Sequence, residues 1–126
     1  MKIIFKKGIL GFEELKEYTL TEIENSTVFK EISSIDEENI GFILISPFEI
    51  DSTYDIKIDD STVEELELES PEDVFLYSIV TLTDSIENST VNLRAPIVIN
   101  RKNNLARQIV LQDESYEIKH PLMRRK

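Results

Sequence analysis

The chain has 126 residues, a formal net charge of -11, and 40% hydrophobic against 31% charged residues, the balance of one globular domain and not of a disordered segment. It contains no cysteine and one histidine, His120, which excludes disulfides, thiol catalysis, thiolate metal sites and any site built from two histidines of one chain. The opening Met1-Lys2-Ile3-Ile4-Phe5-Lys6-Lys7 breaks its apolar run after three residues, so it predicts neither a signal peptide nor a membrane span. Tyr18–Ile23, apolar on both faces, is the first predicted strand, followed by Thr27–Ile35. Ile40–Ile45 is a continuous apolar run of strand length and reads as a central strand buried on both faces. Tyr54-Asp-Ile-Lys-Ile58 alternates cleanly, with Tyr54, Ile56 and Ile58 on one face. Asp60–Leu66 begins with a capping residue and early acids, which suit a helix start, and Val63 and Leu66 share a face. Ser70-Pro71-Glu72-Asp73 carries a serine cap and a proline at the first helical position, which predicts a single turn. Val74–Thr83, Thr90–Arg94, Ile97–Asn100, Arg107–Gln112 and Tyr116–Lys119 complete the strands. Eight or nine short strands with polar connectors predict an antiparallel sandwich or barrel.

The charge is unevenly placed. Residues 11–90 hold 22 acids against Lys16, Lys30 and Lys57, whereas residues 91–126 hold eight bases and three acids. An acidic body repels phosphate, which argues against direct nucleic-acid binding and suits a basic protein partner. The acids also admit an enzymatic alternative. Paired carboxylates can hydrolyse a glycosidic bond or hold an oxygen-ligated metal, and Asp51–Asp55 and Asp59-Asp60 are the densest places. Neither has the glycine and terminal glutamate of a calcium loop. The Gly8-Ile-Leu-Gly11 pair lacks the Lys-Ser/Thr of a phosphate cradle. His120, between Lys119 and Pro121, reads as a surface histidine. No catalytic, cofactor or metal site is therefore predicted.

Two segments are candidates for a partner surface. Ser46-Pro47-Phe48 ends the most apolar strand and leads through polar residues to Tyr54. An aromatic at such an exit, stiffened by proline, is either a core cap or an exposed anchor for a partner. In Asn92-Leu-Arg94-Ala-Pro96-Ile-Val-Ile-Asn100, Pro96 separates two strand-like halves and predicts a bulge, kink or edge, where another chain can dock. The predicted partner-binding residues are Ser46, Pro47, Phe48, Tyr54, Asn92, Arg94 and Pro96.

The same residues resemble the flagellar assembly factor family, FliW. The resemblance runs in order through Phe5-x-x-Gly8-Ile9-x-Gly11-Phe12-Glu13, Ile32–Asp36, Ile40-Gly-Phe-Ile-Leu-Ile-Ser-Pro-Phe48, Tyr54 and Ser70–Val74 into Ile79–Thr81. It continues through the Thr90–Asn100 block, Gln108–Leu111, Tyr116 and His120-Pro-Leu122. It implies a small β-barrel-like domain over residues 1–122; with the strands and capped segments above, the expected fold is all-β, an antiparallel barrel-like domain with one or two short helical turns, and the basic tail over 123–126 reads as mobile. The resemblance further implies a cytoplasmic, non-enzymatic regulator of flagellum biogenesis, without cofactor or membrane attachment. Such proteins bind flagellin before export, in the manner of a chaperone. They also bind the translational repressor CsrA and so relieve its repression of flagellin translation. The family usually carries a further segment, about one strand long, before the Phe5 motif, which implies a barrel lacking an edge strand or a shortened chain. It also usually has aspartate before the Pro-Phe pair, where this chain has Ser46, which implies a lost charge at any partner contact there.

Overall fold

The computed structural model describes residues 1–123. The predicted mobile tail lies, beyond Met123, outside the described residues. Nine strands form: β1 (Lys2–Phe5), β2 (Glu17–Glu22), β3 (Phe29–Ser34), β4 (Gly41–Ile45), β5 (Val74–Thr81), β6 (Thr90–Val91), β7 (Ile97–Asn100), β8 (Leu105–Gln108) and β9 (His120–Pro121). Their order is β4-β3-β2-β1-β8-β7-β5, and β5 pairs back onto β4, so seven strands close into a barrel. Strands β6 and β9 extend the ladder from the end of β5. Every pairing is antiparallel except β1 with β8, where Ile4 faces Leu105 and Phe5 faces Ala106.

The anticipated open edge is absent because β1 fills it. Lys2–Phe5 was not a predicted strand, yet Ile3 and Phe5 are fully buried in the barrel and Ile4 lies between them. That is period-two patterning in a segment too short to show it. β1 joins its neighbour β2 in sequence to the distant β8.

Alternation sorts the apolar side chains into two layers. Inside the barrel, Ile3, Phe5, Ile9, Tyr18, Ile32, Leu44, Ile97, Ile99 and Ala106 form one cluster, edged by Phe42, Tyr77 and Ile79. Outside it, Ile43 and Ile45 of β4 and Leu76 and Val80 of β5 face a second layer with Tyr54, Val91, Leu93, Leu111, Tyr116 and Leu122. The two-faced apolarity of Ile40–Ile45 and of Val74–Thr81 thus has a physical cause, since both strands have core on both sides; the predicted strand Val74–Thr83 stops at Thr81, and Leu82 beyond it is exposed.

The connections between strands supply the outer cover. Helix α1 (Pro47–Ile50) follows β4, and helix α2 (Asp60–Glu65) follows the segment 51–59. Pro71–Asp73 is one 3₁₀ turn, as its cap predicted, with the Ser70 hydroxyl accepting from the Glu72 amide. A second 3₁₀ turn spans Ile86–Asn88. Helix α1 is a correction to the strand-exit reading. Ser46 caps it through its hydroxyl, which accepts from the Phe48 amide at 3.3 Å, and Pro47 opens it.

Tyr54–Ile58 is a second correction. It keeps its alternation, with Tyr54 buried and Asp55 and Lys57 exposed, but has no ladder partner among the described residues. Its apolar side chains lie on the outside of the barrel instead, where Ile56 and Ile58 pack against Leu66 and Val98. The late strands also shift: β8 ends at Gln108, not Gln112, and Tyr116–Lys119 forms no strand, the short β9 following it at His120–Pro121. Beyond β8, the Ile109 and Leu111 amides still donate to the carbonyls of Pro96 and Arg94.

Candidate partner-binding surface

The two segments singled out in the sequence meet in space. Tyr54 is 3% exposed, and its hydroxyl donates to the Leu93 carbonyl at 2.6 Å, which ties the Ser46–Tyr54 segment to the Asn92–Pro96 block. Burial, and then the neighbouring Tyr116, push the Tyr54 phenol well above its ordinary range. Its ring lies 4.6 Å from that of Tyr116, and the Phe48 ring stands on it edge-on at 6.0 Å. Tyr116 is fixed in turn: its hydroxyl donates to the Asp55 carbonyl and accepts from the Asp55 amide, both at 2.9 Å.

Phe48 is therefore a supported but open side chain. It is 48% exposed, on a one-turn helix that begins with a buried proline. The backbone is stapled on both sides of it, by the Ser46 cap and by the Asp51 amide donating to Pro47. Asp51 then accepts from both the amide and the hydroxyl of Thr53, which turns the chain toward Tyr54. Serine and aspartate both serve as helix caps, so Ser46 supplies the helix start that an aspartate at this position would also supply.

The Asn92–Pro96 block is a structured turn. The Asn92 side-chain oxygen accepts from the Arg94 and Ala95 amides at 3.1 and 3.0 Å, bending the chain from β6 toward β7. Arg94 is half-buried, donates to the Leu111 carbonyl at 3.1 Å, and reaches Glu114 at 3.8 Å. Pro96 is buried and immediately precedes β7. Because β7 pairs with β5 and β8, no free edge lies there, and of the alternatives for Pro96 the structure contains the kink. Of the seven candidate residues only Phe48 is exposed; Ser46, Asn92 and Arg94 are partly buried, and Pro47, Tyr54 and Pro96 are buried beneath them. Sequence reading missed Tyr116. The signal available was an aromatic within a polar stretch, and it gives no spatial neighbour.

Two of the acids weighed for enzymatic work, Asp51 and Asp59, accept from neighbouring hydroxyls. Asp51 is held below the usual carboxylate range first by the Thr53 hydroxyl and then by its amide. Asp59 is held there first by the Ser61 hydroxyl and then by that of Thr62, at 2.6 and 2.5 Å. A glycosidase acid needs the opposite shift. His120 sits in β9, with Nδ1 2.9 Å from the Pro121 carbonyl, to which it can only donate.

Comparison with known proteins gives one consistent result. The family model "FliW protein" matches residues 1–122. A flagellar assembly factor FliW of Clostridioides difficile (strain 630) is 56% identical, over 98% of this chain and 95% of that protein. One from Clostridium novyi (strain NT) is 50% identical, over 97% of this chain and 85% of that protein. A crystal structure of the flagellar assembly factor FliW superposes with a TM-score of 0.93 at 40% identity, covering 99% of this chain and 87% of that one.

Proposed function

The chain belongs to the FliW family of flagellar assembly factors, and from that premise we propose that it works by binding two protein partners, flagellin before export and a CsrA-like translational repressor. It acts in the cytoplasm, without catalysis or cofactor, and does not itself contact nucleic acid. Capture of the repressor relieves its block on flagellin translation. The observation that supports a partner surface is Phe48: a large apolar side chain, half-exposed, standing on a Tyr54 ring that is itself locked by a buried hydrogen bond. A side chain so placed loses little freedom on binding, which is what an interface anchor requires. In this reading Phe48 inserts into the partner, and Ser46, Pro47 and Tyr54 hold it in position. The block carrying Asn92, Arg94 and Pro96 forms the adjoining wall, with Arg94 at its rim.

The excess of acids over residues 11–90 adds long-range attraction for a basic RNA-binding partner. Titration calorimetry of the purified protein against a purified CsrA-type repressor, and separately against flagellin, tests the proposal. A complex is expected at low salt. Its affinity for the repressor should weaken as salt rises, because the screening length falls from ~10 Å at 0.1 M to ~3 Å at 1 M. Absence of a complex with both partners at low salt contradicts it.

A further inference from the structure

A slot runs between two lengths of extended chain on the outside of the barrel. Asp55, Ile56 and Lys57 face Leu111, Gln112 and Asp113 across a space of about 220 Å³. The slot continues over about 570 Å³, where Lys57 and Asp59 face residues 107–112. The two walls run antiparallel. At one end the Tyr116 hydroxyl bonds Asp55, and at the other the Arg107 guanidinium donates to the Ser61 hydroxyl at 3.2 Å. Phe48 lines neither part.

Both walls turn unpaired peptide groups toward the slot. In extended chain the N–H and C=O of every second residue point to the same side. The Asp55 amide and carbonyl both bond the Tyr116 hydroxyl, so the Lys57 amide and carbonyl point the same way, into the slot. On the facing wall the Ile109 and Leu111 amides donate to the Pro96 and Arg94 carbonyls. The Val110 and Gln112 amides between and beyond them therefore point away from that ladder, also into the slot. None of the Lys57, Val110 and Gln112 amides has a backbone partner among the described residues, and all three residues are exposed. Strand β1 pairs with β8 at Leu105 and Ala106, which leaves this edge vacant from Val110 onward.

We propose that the slot takes a short extended segment of a partner protein, which adds as a strand between Lys57 on one side and Val110 and Gln112 on the other. The unpaired peptide groups set the form of the occupant. A helix satisfies its own backbone and would leave them unanswered, whereas an extended segment offers alternate N–H and C=O groups to both walls. Charge does not select it, since Lys57 and Arg107 stand against Asp55, Asp59 and Asp113, and Asp59 and Asp113 already accept from neighbouring hydroxyls. Half-buried Ile56 and Leu111 give the slot an apolar floor, so the segment carries apolar side chains on that face and no proline at the pairing positions. At 3.3 Å per residue, the span from Asp55 to Ser61 admits about five residues. The slot is separate from the surface carrying Phe48 and does not rest on the flagellin and repressor reading.

The test uses a labelled model peptide of about seven residues, valine and threonine in alternation, which places all valines on one face. Two control peptides keep every side chain and remove the donors of one edge: one is N-methylated at the valines, the other at the threonines. Binding is read by fluorescence anisotropy, and hydrogen exchange of single amides by NMR. The expected result is binding of the unmodified peptide alone. The Lys57, Val110 and Gln112 amides should exchange fast in the free protein and become protected in the complex. Lys57→Pro and Val110→Pro each remove an amide that has no backbone partner, so each should melt close to wild type and weaken peptide binding about tenfold. Phe48→Ala should leave binding unchanged. No binding, equal binding of an N-methylated control, slow exchange of the three amides in the free protein, or full affinity in both proline variants would overturn the proposal. So would protection centred on Phe48, or a dimer of this chain, seen in sedimentation, that excludes the peptide.

Discussion

Tyr54→Phe removes one oxygen atom and tests the junction on which the partner surface stands. The hydroxyl is buried and donates at 2.6 Å to the Leu93 carbonyl. That carbonyl belongs to a residue 2% exposed, so water does not readily replace the lost donor. A neutral hydrogen bond contributes about 1 kcal/mol net, and leaving its buried partner unsatisfied raises the cost to roughly 1–3 kcal/mol. The ring stays and keeps its contacts with Phe48 and Tyr116, so no cavity forms. Urea unfolding followed by circular dichroism should show a midpoint shift of that size with the slope unchanged. At roughly 4 °C per kcal/mol for a chain of this length, Tm should fall by about 4–12 °C. Tyr116→Phe is the control. Its hydroxyl bonds the exposed Asp55 backbone, where water can substitute, so the loss should stay below about 1 kcal/mol. Equal stability of wild type and Tyr54→Phe would refute the argument that this bond ties the two segments together.

Two glycines in the first motif should respond differently to alanine. Gly8 has φ +69°, and an added Cβ would lie 2.6 Å from the Glu13 backbone; Gly8→Ala should cost at least about 2–3 kcal/mol by thermal melt. Gly11 has φ +87° with open space around it, so Gly11→Ala should cost only the conformational term, about 1–2 kcal/mol. Burial raises the phenols of Tyr18, Tyr54 and Tyr77. Their folded values lie above the unfolded value near 10, so this stability is fully present below about pH 10 and is lost as pH rises through the folded values. Unfolding at alkaline pH, with tyrosinate absorption appearing together with loss of structure, checks this, and Tyr54→Phe should weaken the dependence. On the acid side, Asp51, Asp59 and Asp113 are held low first by hydroxyls of Thr53, Ser61 and Ser115, so NMR should show each titrating below a free aspartate.

The sequence made it legible that β4 and β5 are covered on both faces, because alternation is local. That Leu44 and Ile45, or Ile79 and Val80, point to opposite sides follows from period two alone; which side is the barrel interior does not, because both faces are apolar. Partners were not legible in the same way. Tyr54–Ile58 alternates like a strand, yet alternation reports only that one face is covered, and here the barrel wall covers it without a ladder. Strand β1 escaped because four residues cannot establish a period and because its parallel neighbour lies about a hundred residues away. Helix α1 was legible in principle. Ser46-Pro47 carries the cap-and-proline signature that identified Ser70-Pro71, but the adjoining apolar run drew the reading toward a strand end. At the candidate surface, the aromatic anchor and the proline kink stood out as residue types. That Tyr54 joins them through Leu93, with Tyr116 behind, depends on contacts 39 and 61 residues apart, which no local pattern encodes.

The most direct measurement of the partner-surface claim is calorimetry of Phe48→Ala against the repressor and against flagellin, with a thermal melt of the same sample. Phe48 is half-exposed, so the variant should melt close to wild type while losing roughly 2 kcal/mol or more of affinity, about thirtyfold, for at least one partner. A core cap behaves in the opposite way, losing about 3–5 kcal/mol of stability. A large fall in melting temperature with binding intact in the folded fraction, or unchanged affinity for both partners in a variant that melts like wild type, would contradict the claim.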